Sequence, residues 1–415
     1  MTTSPIPIIT GGLTTVPASA NSLESRPPSI ARWRLATFAI FMVNGLVLGT
    51  WASRTPAVAS SLDFGPAQMG VLITAIPLGA FIGLLFSSHV LEHLGERRTA
   101  ILSQSFMAIG IAGFGIVANL TGNAIIGAIA LFIYGVGIAT TNIVINLEAA
   151  ASDRATGRTF MPLFHAAWSV GAFVGAGLGA FASAGHVTIA IHFTVIAVIA
   201  LTVSVVVIGW FAELRHDSTE AAPGFAERMR VWVEPRTLLI GLIVLAASFN
   251  EGTANSWLNL AMVTGRDWSP AAGAGAVTVF TAAMFVGRIF GGSFVDRFGR
   301  VAALRLAFTL AGVGVLVVVL VHVELAVFAG VALWGLGASL GYPLGMSAAS
   351  DDPRNAAARV AAVATVATIS GLIGPSILGL LGEHFGLPEA FVAVAALLAI
   401  GLLVSSAARP PRPLP

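Results

Sequence analysis

Apolar residues run in long uninterrupted stretches along this chain, with polar residues confined to short breaks between them. The stretches cover 34–57, 67–91, 99–119, 122–148, 159–183 and 187–211, then 237–259, 271–295, 301–321, 324–349, 357–381 and 388–408. Crossing the roughly 30 Å hydrocarbon core of a bilayer takes about 20 apolar residues as a helix, so each stretch is long enough to span. Only helices or closed barrels satisfy backbone polar groups in lipid, and runs of this length predict helices. The pattern therefore predicts an all-α membrane protein with twelve transmembrane helices. Residues 1–32 read as a disordered cytoplasmic tail without the basic start and apolar run of a signal peptide. A six-helix bundle over 33–211 follows, then a charged cytoplasmic linker at 212–236, a second bundle over 237–408 and a cytoplasmic tail at 409–415.

Composition agrees with the pattern. Apolar residues make up 56% of the chain and charged residues 10%, too few charges to cover a soluble globule of this size. With no cysteine, disulfides, thiolate metal sites and cysteine nucleophiles are excluded. No phosphate-binding loop, metal-spaced His/Glu cluster or nucleophile elbow is apparent, so neither an enzyme nor a resident metal is expected. All 21 basic residues are arginine, and 18 of them fall on one side if the N-terminus is inside. The exceptions are Arg54 and Arg266 outside and Arg288 within a helix. By the positive-inside rule both termini are cytoplasmic, in the inner membrane of a bacterium, and the arginines report orientation rather than nucleic-acid binding.

The two halves repeat. Asn44 and Trp51 of the first span match Asn250 and Trp257 of the seventh. Tyr134-Gly135-Val136-Gly137 of the fourth matches Trp334-Gly335-Leu336-Gly337 of the tenth, and Gly171 and Gly179 of the fifth match Gly371 and Gly379 of the eleventh. Gly83 and Gly95 match Gly287 and Gly299. An ordered series of this kind marks a parallel repeat, the architecture of secondary transporters.

The loop after the eighth span reads Gly292-Ser293-Phe294-Val295-Asp296-Arg297-Phe298-Gly299-Arg300. It resembles the G-x-x-x-D-R-x-G-R signature of the major facilitator superfamily; Ser88, Glu92, His93, Gly95, Glu96, Arg97 and Arg98 form a degraded N-terminal copy. The resemblance covers about residues 34–408 and implies two pseudo-symmetric six-helix bundles, the major facilitator fold. Asn44-Gly45, Trp51-Ala52-Ser53-Arg54-Thr55-Pro56, Asn142 with Asn146, Phe164-His165-Ala166-Ala167-Trp168 and Glu251-Gly252 with Trp257 are similar to a bacterial branch near the fucose permeases, which are proton-linked sugar importers. Departures from that pattern matter. The first span has no acid, the fourth offers Asn142 and Asn146, and position 255 is an amide where relatives carry an acid. Drug antiporters of the superfamily carry Gly-Pro in the fifth span; here it is Gly374-Pro375 of the eleventh, and Gly175 stands at the equivalent place.

Glu251 is the sharpest candidate for mechanism. It lies about 21 Å along its helix from Thr237 at 1.5 Å per residue, slightly beyond the midplane. An acid there costs roughly 2.5–3.5 kcal/mol, so it is expected to face a wet cavity or a partner and to carry a coupling proton. Asn255 and Asn259 follow at four-residue steps and extend a polar stripe. Asn44, Trp51, Asn250, Trp257, Asn142, Asn146, His165 and Trp168 are further candidates for binding or coupling, set against packing and interfacial anchoring as the plainer readings. The glycine face of the fifth span (Gly171, Gly175, Gly179) is expected to permit close helix packing. Asp296, Arg297, Arg300, Glu148, Arg97, Arg98 and Arg154 are expected to form gating ion pairs on the inner face, with Asp153 and Arg158 joining them. Arg288 is expected to snorkel or pair locally, with substrate binding as the lesser reading. Together these residues predict a monomeric secondary transporter of a small polar solute, a sugar or polyol, coupled to H+ and without other cofactors. Export of drug-like or metabolic compounds is the alternative. A membrane receptor is disfavoured, because no extramembrane signalling domain is evident.

Overall fold

In a computed structural model of the chain, residues 29–156, 160–211, 230–351 and 356–410 are described. The expected tail at 1–28, most of the linker at 212–229, Arg158 and the last residues of the C-terminal tail lie outside them. Twelve helices among the described residues are long and apolar enough to cross a membrane. The N-terminal six are Ile30–Ser53, Pro66–Ser87, His89–Leu120, Ala124–Asp153, Leu163–Ala184 and Ile189–Ile208. The C-terminal six are Pro235–Gly265, Pro270–Phe298, Arg300–Leu320, Glu324–Ala349, Ala358–Phe385 and Leu387–Ala408. An even number of alternating crossings puts Ile30 and Ala408 on one face of the bundle, here the terminal face.

The surface is inverted relative to a soluble protein. Leu325 is 80% exposed, and Phe181 and Leu403 are each 79% exposed. Such side chains belong against lipid, and the interior is filled with residues such as Phe114, Phe193, Phe280 and Trp334. Three local details depart from the twelve simple rods. A short helix, Thr55–Leu62, follows the first span. The tenth span is two helices, Glu324–Ala338 and Gly341–Ala349, joined through Ser339 and Leu340. The second and third spans run on through a kink at Gly95, whose φ is +71°.

Gly299 has φ of +82°, so both repeat-related loop glycines lie at positive φ with extended ψ, a region that suits glycine. A side chain there would be strained, although neither glycine has an atom within 4 Å of a would-be Cβ. The glycine of the loop signature is thus required by backbone geometry rather than by crowding. Elsewhere glycine serves contact. A Cβ added at Gly45 would lie 1.9 Å from the Trp168 carbonyl oxygen, and one at Gly171 would lie 1.9 Å from that of Met42. The first and fifth spans therefore cross backbone on backbone, as the glycine face predicts.

The halves meet firmly at the face opposite the termini. Thr74 of the second span and Ser376 of the eleventh share a hydrogen bond of 2.9 Å. A Cβ at Gly70 would lie 2.6 Å from the Pro375 carbonyl, and one at Gly379 would lie 2.6 Å from that of Pro66. Glu383 accepts from the Ala67 backbone N–H at 3.3 Å, at the start of the second span. Asn259 of the seventh span donates to the backbone carbonyl of Ser53 at the end of the first. This end of the bundle is sealed.

Candidate functional site

Between the halves lies a central space of two adjoining lobes that share Leu48, Ser248, Gly252 and Asn255. The lobe toward the terminal face encloses about 370 Å³, and Asn142, His165, Trp168, Glu251, Arg288 and Tyr342 line it. The other, about 290 Å³, lies under the seal and is walled by Trp51, Tyr134, Trp257, Ser370 and Pro375 with aliphatic neighbours. Both bundles contribute to each lobe.

The charged centre of the first lobe is a pair. Arg288 Nη2 lies 3.4 Å from Glu251 Oε1, and the two side chains keep 20% and 24% of their surface exposed. The other terminal nitrogen of Arg288, Nη1, donates to Ser169 Oγ of the fifth span at 2.8 Å. One guanidinium therefore ties the eighth span to the seventh within its own half and to the fifth in the other. The second lobe presents a different chemistry. Tyr134 Oη, Trp257 Nε1, Ser248 Oγ and Ser370 Oγ are buried without a hydrogen-bond partner in the protein. An unpaired buried polar group costs about 1–3 kcal/mol, and none of these four atoms presents surface to the lobe their residues line.

The sequence-derived candidates divide cleanly. Glu251, Asn255, Asn142, His165 and Trp168 line the first lobe, and Trp51 and Trp257 line the second. Both tryptophans are almost fully buried, which removes interfacial anchoring. Asn44 does not reach the cavity; it is buried and accepts from Gln104 of the third span at 3.0 Å. Asn250 likewise turns away and accepts from Trp334 Nε1 at 2.6 Å. Asn146 donates to the Asn142 carbonyl one turn back and lines neither lobe. Asn259 belongs to the seal rather than to a polar stripe.

Arg288 does pair locally, with Glu251, and the pair stands in the cavity wall. Ser169, Tyr342, Ser248, Tyr134 and Ser370 were missed. The signal for Arg288 was its position as the one arginine lying well inside an apolar stretch. By the offset relating Gly83 to Gly287, its counterpart in the first half is Leu84, and by the offset relating Asn44 to Asn250 the counterpart of Glu251 is Gly45. The pair is private to the second repeat.

On the terminal face the expected network is redistributed. Arg300 binds Asp351 through two contacts of 2.9 Å, and Arg236 joins the same carboxylate at 2.7 Å. Asp351, which the loop signature does not contain, holds the place expected of Asp296. Asp296, Arg297 and Arg98 are exposed, with Arg297 5.2 Å over the Phe298 ring. Arg97 donates to the Phe211 carbonyl at 2.6 Å, and Glu148 accepts from Trp33 Nε1. Asp153 accepts from the Phe160 and Met161 backbone N–H groups at the start of the fifth span. The Arg154 side chain lies outside the described atoms. Every contact named here stays within one half. Contrary to the expectation of no metal-spaced His/Glu cluster, His89, Glu92 and His93 are exposed with ligating atoms within 4.8 Å of one another, an arrangement that could hold a divalent cation.

The architecture has known counterparts. Over 91% of its length the chain matches the solved nucleoside transporter NupG, with 98% of that chain, at a TM-score of 0.69 and 10% identity. The fucose:proton symporter FucP of E. coli, in its outward conformation, matches 92% of the chain and all of its own at 0.66 and 16% identity. At such identities these likenesses speak for the fold alone. In sequence, an uncharacterized transporter y4wD of Sinorhizobium fredii is 34% identical over 357 residues, covering 85% of this chain and 91% of its own. The family model described as Major Facilitator Superfamily matches residues 240–415. With twelve spans, a parallel repeat and a relative of that similarity, the chain belongs to the major facilitator superfamily and is a transporter, not an enzyme.

Proposed function

We propose that the central cavity carries a small polar solute by alternating access, with H+ as the coupling ion exchanging at Glu251. The observation that supports this reading most is the polar lining of the first lobe, where Asn142, His165, Asn255 and Tyr342 gather around the Glu251 carboxylate and Arg288. Hydroxyls of a sugar or polyol would bond those side chains, and the Trp168 ring would offer an apolar face beside them. One chain builds the whole cavity, so a single chain is the transporting unit.

With the termini in the cytoplasm of a bacterial inner membrane, the sealed end faces outward and the described state is inward-facing. Arginine placement supports that orientation. In the opposite state, Asp296, Arg297 and Arg98, exposed here, would meet across the terminal face as a gate. Export of drug-like compounds has one observation in its favour, the aliphatic wall formed by Leu48, Ile73, Ile76 and Leu378. Uptake into reconstituted vesicles with and without an imposed pH gradient separates the readings. Polar-solute accumulation should rise with the gradient, and Glu251→Gln should abolish uphill accumulation while sparing exchange. Accumulation indifferent to the gradient would remove Glu251 as the coupling group.

A further inference from the structure

The two lobes differ in what they offer a solute. One end of the cavity holds a cation, and the other is lined by neutral side chains alone. The cation is incompletely satisfied. Elsewhere in the chain arginines hold carboxylates closely: Arg359 Nε lies 2.6 Å from Glu234, Arg236 Nη2 lies 2.7 Å from Asp351, and Arg300 reaches Asp351 twice at 2.9 Å. Arg288 meets Glu251 through a single contact of 3.4 Å. Ser169, reaching in from the other half, keeps the guanidinium in place independently of that contact. A planar guanidinium held by a neutral hydroxyl and loosely paired with an acid is arranged to exchange one carboxylate for another.

We propose that the solute is a small polyhydroxylated monocarboxylate, an aldonate or uronate in chemical class. Its carboxylate replaces Glu251 on Arg288, while its hydroxyls bond Asn142, Asn255, Ser256 and Tyr342. The inference rests on the transport reading above and names the substrate class of that site. Glu251 faces Arg288 of the eighth span, His165 of the fifth and Tyr342 of the tenth, with the neutral Asn142 of the fourth. A proton taken up by Glu251 leaves Arg288 as a cation at membrane depth, and the solute carboxylate supplies the missing negative charge. One proton and one monoanion then move together, so transport carries no net charge. The absence of a counterpart pair in the first repeat fits a solute bound end-on rather than symmetrically.

Full-length protein in detergent and in vesicles tests this. Binding and gradient-driven uptake would be measured for the aldonates and uronates of glucose, galactose and mannose against the parent sugars and alditols. At least one acid should bind roughly ten- to a hundred-fold more tightly than its parent sugar, the scale of a charge-assisted hydrogen bond. Arg288→Gln should erase that preference and Arg288→Lys should keep part of it. Acid uptake should leave the membrane potential unchanged. Because the acid-to-sugar ratio is read first in the unmodified protein, the test does not depend on a variant folding. The inference is overturned if none of the acids binds, if parent sugars bind as well, or if Arg288→Gln keeps the preference. Neutral sugars driven by the pH gradient would overturn the acid class and leave the polar-solute reading standing. Transport of apolar compounds alone would overturn both.

Discussion

Glu251 and Arg288 show how a residue's meaning depends on its partner. Alone, an acid near the midplane is costly and invites a coupling role; beside Arg288 it is half of a neutral pair. Removing one member of such a pair strands the other charge, whereas removing both leaves nothing unpaired. We therefore expect Arg288→Gln alone to lower thermal stability in detergent, by about 1–3 kcal/mol. Adding Glu251→Gln to it should recover part of the loss. A double variant melting below both single variants would show that the two side chains are held by other neighbours. Asn44 and Asn250 teach the converse. They occupy matched places in the repeat and look like cavity residues, yet each is spent on a bond within its own bundle. An asparagine four or seven residues from a cavity residue shares its helix face only approximately, and the neighbouring helix decides which side it serves.

Helices and their ends carry the next set of consequences. Within the loop signature, Gly292 and Gly299 look alike in sequence and differ in backbone. Gly299 sits at positive φ, whereas Gly292 is within a helix and open to a Cβ. Gly299→Ala should cost about 1–2 kcal/mol, while Gly292→Ala should be neutral or stabilising by up to about 1 kcal/mol. Thermal melts of the two variants side by side would check the difference in sign. The second and eleventh spans meet through Gly70 and Gly379, where a larger side chain strikes backbone that cannot yield. Gly70→Val should prop the seal open and shift the population toward the state closed on the terminal face. Spin-label distances between Thr74 and Ser376 positions would lengthen in that variant; unchanged distances would show that the seal is held elsewhere. The glycine contacts of the fifth span were legible as spacing. The tenth-span break at Ser339 and Leu340 is announced only by Pro343, which has no N–H for the Ser339 carbonyl four residues back.

At the scale of the molecule, one end of the cavity is closed by contacts between the halves, while the charged groups on the terminal face brace each half separately. A chain without cysteine makes the resting state easy to interrogate. A single cysteine at Ser256, which lines the second lobe, should react with a membrane-impermeant thiol reagent from the terminal face and be protected from the other. Equal labelling from both sides would mean that the seal is not the dominant state. The twelve spans, the duplication and the family resemblance are legible in the sequence alone. These follow from local rules: hydrocarbon demands long apolar helices, and a duplicated unit keeps its spacing. Only the tertiary structure decided that Arg288 faces Glu251, that Asn44 and Asn250 serve packing, and that Asp351 takes the place expected of Asp296. Those outcomes depend on how each helix is rotated and which neighbour it meets. An apolar sequence leaves that choice open, because lipid accepts every apolar face equally and only side-chain packing distinguishes them.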